Sequence, residues 1–335
     1  MTVLRYLLFP VAGVYGAVIF LRNALYDVGY FTSQSYDFPI ICVGNVSVGG
    51  TGKTPMIEYL VRVLSPEYKV GTLSRGYKRQ SKGFYVADFD STAALMGDEP
   101  FQFASKFPQV VVAVDADRRN GILQLQERKL LPQVLLLDDA FQHRKVQPGF
   151  SILLTAFDSL YVDDWLLPVG TLRDTISQVK RAQIIVVTKC PTNLSIEQAG
   201  SIRGKLRVLP HQLVFFATIA YSDMVMAKST NEKLTDFGQL PFTLVTGIAN
   251  PTPLVKFLEE KGFEFTHINF PDHHHFSERE INDLRLHQRI LTTEKDFMRL
   301  KDSLDNVSYL PIETQFIWDE DKFKDNIIKY VKEYS

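Results

Sequence analysis

Residues 47–54 read Ser-Val-Gly-Gly-Thr-Gly-Lys-Thr and lie between an apolar run at 40–43 and an amphipathic stretch at 56–64. No other segment restricts the fold so tightly. Gly49, Gly50 and Gly52 let successive backbone N–H groups curl around phosphate oxygens without a side chain in the way. Lys53 supplies a cation for the β- and γ-phosphates, and the Thr54 hydroxyl is suited to ligate Mg²⁺. Ser47, Val48 and Thr51 complete the turn, and the helix after it offers its positive N-terminus to the same anion. Pro55 falls in the first helical turn, where a missing N–H costs nothing. One position departs from the usual G-x-x-x-x-G-K-[ST] pattern, with Ser47 in place of the first Gly.

The rest of the chain agrees with an α/β sheet. Short apolar strands at 40–43, 70–73, 110–114, 134–137, 152–154 and 184–188 alternate with helical stretches at 56–64, 99–107 and 121–128. Nearly continuous apolar strands are those covered on both faces, as in a mostly parallel sheet with helices on each side. Around residues 205–240 the pattern shifts to shorter segments rich in Thr, Ser and Lys. A second, smaller α/β unit then starts with a strand at 242–246, a helix at 252–261 and a strand at 263–269. Residues 322–334 read as a surface helix with Phe323, Ile327 and Val331 on one side. The expected division is 1–30 as an N-terminal membrane-associated helix, 31–220 as the nucleotide-binding core, and 221–335 as the smaller domain with its linker.

The N-terminal assignment rests on residues 6–21, which carry no charge and are framed by Arg5 and Arg22. A helix of that length spans about 24 Å, short of the ~30 Å hydrocarbon core of a bilayer. Pro10, Gly13 and Gly16 weaken it further. A helix inserted into, or lying on, a membrane is expected, with both arginines reaching phosphate headgroups. The net charge of −1 gives no reason to expect a nucleic-acid partner. Cys42 and Cys190, far apart and in apolar surroundings, read as reduced structural thiols.

Further motifs carry the chemistry. The strand at 134–137 ends in Asp138 and Asp139, at the carboxyl end where open α/β sheets bind ligands, and a carboxylate there suits Mg²⁺. Residues 186–191, Val-Val-Thr-Lys-Cys-Pro, resemble the [NT]-K-x-D element that reads guanine, but Pro191 replaces the acid, which favours ATP. Asp98, in Gly97-Asp-Glu-Pro100, reads equally as a helix N-cap or as a catalytic acid. Arg118 follows the 110–114 strand, Arg173 lies in Leu167-Pro-Val-Gly-Thr-Leu-Arg-Asp174, and Arg75 and Tyr77 lie in Ser74-Arg-Gly-Tyr77 beside Lys78 and Arg79. Arginines at strand ends facing one crevice suit an anionic substrate. Within Phe270-Pro-Asp-His-His-His-Phe276, one histidine as proton acceptor is favoured over metal binding, because adjacent side chains diverge.

Together these motifs resemble the tetraacyldisaccharide 4′-kinase (lipid A 4′-kinase) family. The matching strings are Gly44-Asn45 leading into 48–55, Ser74-Arg-Gly-Tyr77, Gly97-Asp-Glu-Pro100, Leu137-Asp-Asp-Ala-Phe-Gln-His143, Leu167-Pro-Val-Gly-Thr-Leu-Arg173, Phe270-Pro-Asp-His273 and Thr293-Glu-Lys-Asp296. Ala140 and Asp174 depart from the usual Gly and Glu, whereas a residue other than Gly at position 47 is common in the family. The resemblance implies transfer of the ATP γ-phosphate to the 4′-hydroxyl of a tetraacylated glucosamine disaccharide 1-phosphate. The product is lipid IVA of lipid A biosynthesis, made at the cytoplasmic face of a bacterial inner membrane. By motif position it implies Asp98 as base and His273 as its partner. It also implies Arg118 and Arg173 as substrate or phosphate contacts, with Asp138, Asp139 and possibly Glu99 on the Mg²⁺ side. The rival readings are a P-loop switch or metallochaperone-type GTPase, and a peripheral membrane-binding module with an inactive loop.

Overall fold

The structure is a computed structural model that describes residues 7–272 and 274–334. Helix α1 (Phe9–Asp27) precedes strand β1 (Ile40–Gly44), and the glycine-rich loop leads from β1 into α2 (Lys53–Leu64). Then come β2 (Val70–Ser74), the two-residue β3 (Tyr85–Val86), α3 (Ala93–Met96), α4 (Asp98–Lys106), β4 (Val111–Val114) and α5 (Arg118–Glu127). β5 (Val134–Asp138), β6 (Phe150–Ala156), β7 (Ile184–Thr188), α6 (Ile196–Leu206) and β8 (Leu213–Tyr221) complete the forward path of the larger unit.

Strands β8-β7-β6-β1-β5-β2-β4 run parallel, with β3 antiparallel on one edge. Every residue of β1, β2, β5, β6 and β7 is buried, as the apolar runs require of strands covered on both faces. One face packs on α2 through Met56, Ile57, Leu60 and Leu64, and the other on α5 and α6 through Ile122, Leu125, Ala199 and Ile202.

The smaller unit adds β9 (Met224–Met226), β10 (Asn231–Lys233), α7 (Leu234–Phe237), β11 (Phe242–Thr246), α8 (Thr252–Glu260), β12 (Phe265–Asn269), α9 (Glu278–Arg285), β13 (Ile290–Thr293), α10 (Glu294–Leu300) and β14 (Val307–Leu310). Its sheet order is β10-β9-β14-β13-β11-β12. The chain then returns. β15 (Ile312–Phe316) pairs antiparallel with β8, and α11 (Glu320–Lys332) packs on the larger sheet.

The expected division placed the final elements in the smaller domain, whereas β15 and α11 pack with the larger sheet. The alternation Ile312, Thr314, Phe316 announces a strand but not which sheet receives it. Phe323, Ile327 and Val331 are fully buried, with Phe323 beside Phe215, Phe316 and Tyr59. The Tyr330 hydroxyl accepts from Ile40 N–H and donates to Ile40 C=O, both at 3.1 Å, so the last helix ties down the strand that feeds the loop. The two chain crossings between units meet where Ser222 N–H donates to Pro311 C=O at 3.0 Å.

Helix α1 is longer than the uncharged run foretold, because Arg22 and Asn23 continue it. Val11, Val14, Val18 and Leu21, on one stripe by their spacing, are more than half exposed. Its other side is fastened to the protein. Asn23 donates to Asp174 at 2.8 Å, Tyr15 to Arg173 C=O, and Gly16 lies so close to Leu166 that a Cβ would come within 2.8 Å of it. Arg22 donates to Gln142 C=O and lies over the Tyr26 ring, so it faces protein rather than headgroups, a correction to the expectation. Arg5 lies outside the described residues.

Candidate active site

The loop after β1 is held from both sides. Phe141 packs so closely on Gly44 that a Cβ there would sit 2.7 Å from it. Val48 N–H donates to Thr171 C=O at 2.8 Å, while the Thr188 hydroxyl at the end of β7 donates to Thr51 C=O at 2.8 Å. Gly49 (φ 113°) and Gly52 (φ 83°) take left-handed backbone that other residues reach only with strain. Gly52 is the N-cap of α2, so the first N–H groups of that helix point out of the loop. Lys53 Nζ lies 3.4 Å from Asn45 Oδ1 and 3.8 Å from Asp139. Residues 47–54 thus form a turn whose glycines and following helix N-terminus suit an anion.

Opposite lies the acidic side. Asp138 ends β5, 3 % exposed, and its Oδ1 has no hydrogen-bond partner. Burial, with Glu99 and Asp139 nearby, pushes its pKa up to about 7. A buried carboxylate oxygen with spare lone pairs, in the field of Lys53, fits a hard divalent cation. Among the described residues no three His, Cys, Asp or Glu side chains form a metal cage of their own.

Asp139 behaves differently from its neighbour. Arg173 grips both its carboxylate oxygens and also reaches Asn45 Oδ1. Burial acts to raise the Asp139 pKa, but Arg173 and Lys53 outweigh it and hold the group ionised. Of the two acids expected on the Mg²⁺ side, Asp139 is the one tied to Arg173 and close to Lys53. Glu99 is also committed elsewhere. Its Oε1 is 2.6 Å from Lys295 Nζ of the smaller unit, and Lys295 with Lys53 lowers its pKa against the effect of burial.

Arg118 corrects the expectation of a substrate contact. It is 2 % exposed, and its guanidinium donates to the carbonyls of Asp115, Ala116 and Asp138, which stitches the β4–α5 turn to the end of β5. Its backbone N–H donates to His143 Nε2, and burial together with Arg118 pushes that histidine down to about 4, keeping it a neutral acceptor. Arg79 likewise turns inward, to Gly83 and Val114 carbonyls. Arg75 and Tyr77 remain exposed, on a loop whose Tyr77 C=O packs against Gly97.

Asp98 is no N-cap. Gly97 takes that position, and α4 begins without a side-chain cap. The Asp98 carboxylate instead pairs with Arg299 of α10. Three ion pairs thus join α4 to α10: Asp98–Arg299, Glu99–Lys295, and Lys106–Glu294 at 2.9 Å. Lys106 also reaches Glu58 of α2 at 2.7 Å. Lys295 also lies in the field of Asp98 and Asp272, which brings the loop after β12 to the same place. His273 lies outside the described residues. His274 is built into the smaller unit, 3.1 Å from Glu280 and stacked on Phe270. Sequence reasoning missed Lys295 and Arg299, although the string Thr293-Glu-Lys-Asp296 lay in view.

The buried pair Glu58 and Glu294 sets one test. Burial and Glu58 push Glu294 up to about 7, above the value of an unfolded chain. Between about pH 4.5 and about pH 7 the folded state then holds more protons than the unfolded one, so stability falls as pH rises through that window. Glu294→Gln should remove this dependence. Thermal unfolding at about pH 5 and about pH 8 should move the variant upward relative to the parent at the higher pH.

The family model described as Tetraacyldisaccharide-1-P 4′-kinase matches residues 4–332. The chain belongs to that family. Among curated relatives, the tetraacyldisaccharide 4′-kinase of Flavobacterium johnsoniae is 49 % identical over 99 % of both chains. That of Bacteroides thetaiotaomicron is 43 % identical over 97 % of this chain and 93 % of its own. The crystal structure of LpxK from Aquifex aeolicus in complex with ATP matches with a TM-score of 0.80 and 30 % identity, over 98 % of this chain and 99 % of the other.

For a tetraacyldisaccharide 4′-kinase family member, the two departures now have surroundings. Ala140 is buried beside the Phe141 that packs on Gly44. Asp174, 1 % exposed, accepts from Asn23 and from Thr175 N–H, so it fastens α1 and faces no solvent-filled crevice.

Proposed function

We propose that this protein transfers the γ-phosphate of ATP to the 4′-hydroxyl of a tetraacyldisaccharide 1-phosphate, with Asp98 as the proton acceptor. The observation that carries the reading is the field at Glu99. It feels Lys53 and Asp139, which supports placing the start of α4, with Asp98, near the loop that carries Lys53. Backbone N–H groups of 49–54 and Lys53 bind the polyphosphate. Mg²⁺ would be held by the Thr54 hydroxyl and the Asp138 carboxylate, where it supplies charge neutralisation of the β- and γ-oxygens. The sugar oxygen forms its bond to the γ-phosphorus as the bond to the ADP oxygen breaks, and the hydroxyl proton passes to Asp98. Arg173 stabilises the equatorial oxygens, Arg75 and Tyr77 lie on the acceptor side, and His273 shares the proton with Asp98. Purified protein with labelled ATP and tetraacyldisaccharide 1-phosphate should yield a bisphosphorylated lipid. An unlabelled lipid fraction would overturn the proposal. Pro191 offers no carboxylate to guanine, so excess GTP should compete poorly.

The acceptor's acyl chains keep it in a bilayer, and the exposed stripe of α1 is suited to meet it there, at the cytoplasmic face of the inner membrane. Val14 and Val18, 67 % and 61 % exposed, make no contribution to the core. Val14→Asp with Val18→Asp should cut co-sedimentation with phospholipid vesicles while the unfolding temperature stays put. Unchanged vesicle binding would discard the stripe as the contact.

A further inference from the structure

The Arg299 guanidinium lies between two carboxylates. Nη1 donates to Asp296 Oδ1 at 3.1 Å, and Nη2 donates to Asp98 Oδ2. Arg299 is nearly buried, with its side chain 9 % exposed, and Asp296 is fully so. Asp296 has little freedom. Its Oδ2 accepts from Gly247 N–H at 2.8 Å and from the Thr293 hydroxyl at 2.7 Å, while the Thr293 hydroxyl also caps the Asp296 N–H. A Cβ at Gly247 would come within 2.9 Å of Asp296 Oδ1, so this carboxylate packs tightly against the loop that follows β11. A planar fork held by a fixed acid passes that fixity to whatever its other arm grips. The other arm grips Asp98.

We infer that Arg299, itself fixed by Asp296, is a positioning residue that orients the Asp98 carboxylate for proton transfer from the acceptor hydroxyl. The inference rests on Asp98 being the base. It gives the string Thr293-Glu-Lys-Asp296 a task, because Thr293 and Asp296 build the mount and Lys295 holds Glu99 beside it. It also explains why a base on the larger unit is oriented from the smaller one. A misplacement of about 1 Å of a reacting group is enough to cost about 10²-fold in rate.

The test is a double-mutant cycle with ATP and tetraacyldisaccharide 1-phosphate. Arg299→Ala should lower kcat between about tenfold and about 10²-fold, with KM for ATP within about threefold of the parent. In an Asp98→Ala background the same change should cost less than about twofold, because a mount without its base has nothing to orient. Arg299→Lys keeps the charge but loses the fork, and kcat should recover part of the way. If Arg299→Ala does not fold, the cycle is run with Arg299→Lys and must give the same non-additivity. Equal losses in both backgrounds, or a kcat within about twofold of the parent, would overturn the inference alone. Asp98→Ala with near-normal turnover would instead remove the base assignment on which it stands.

Discussion

Replacing Asp98 by alanine is expected to lower turnover about 10²- to 10⁴-fold, the usual contribution of a positioned general base. ATP affinity should stay within about threefold, because the change removes an interaction made with the acceptor rather than the nucleotide. The geometry explains why the two quantities separate. Asp98 opens α4 without capping it and leans toward Arg299 of the smaller unit, whereas the nucleotide cradle is assembled from β1, α2 and the ends of β5 and β7. Asp98→Asn keeps the shape and removes the basicity, so it should behave like alanine in turnover. Single-turnover transfer from labelled ATP measures the first quantity, and displacement of a fluorescent ATP analogue the second. A loss in turnover below about tenfold would remove Asp98 from the role of base.

How much of this was readable in advance depended on how local each interaction is. The loop at 47–54 was legible because its chemistry is contained in eight consecutive residues and the strand and helix beside them. The parallel sheet was legible because strands covered on both faces must be largely apolar, as β1, β5, β6 and β7 are. Arg118 was misread because a sequence does not say whether an arginine at a strand end faces solvent or a ring of backbone carbonyls. Here the carbonyls of Asp115, Ala116 and Asp138 take it. Asp138 and Asp139 look alike in sequence, yet Asp139 turns its backbone to φ 47° and meets Arg173, while Asp138 stays on the strand and keeps a free oxygen. The return of β15 to β8 joins residues about ninety or more positions apart, and the pairing of Asp98 with Arg299 joins residues 201 apart. Neither pairing leaves a local trace, and both require the tertiary fold to be known first.

Lys53→Ala should act on binding and turnover together, in contrast to Asp98. Its ammonium lies between Asn45 Oδ1, at 3.4 Å, and the Asp139 carboxylate, at 3.8 Å. A polyphosphate drawn into the ring of N–H groups meets that charge both in the ground state and as negative charge develops on the transferring group. Removing one such preorganised donor costs turnover about 10²- to 10³-fold, and ATP affinity should fall with it. Stability should change little, because Asp139 keeps both of its contacts to Arg173 when Lys53 is gone. Lys53→Arg should not restore activity, since a planar fork cannot occupy the place of a compact ammonium between the loop and Asp139. Isothermal titration with ATP and Mg²⁺, alongside the transfer assay, separates the two effects. Should both affinity and turnover stay within about tenfold of the parent, residues 47–54 do not cradle the transferred phosphate, whatever the resemblance of the loop.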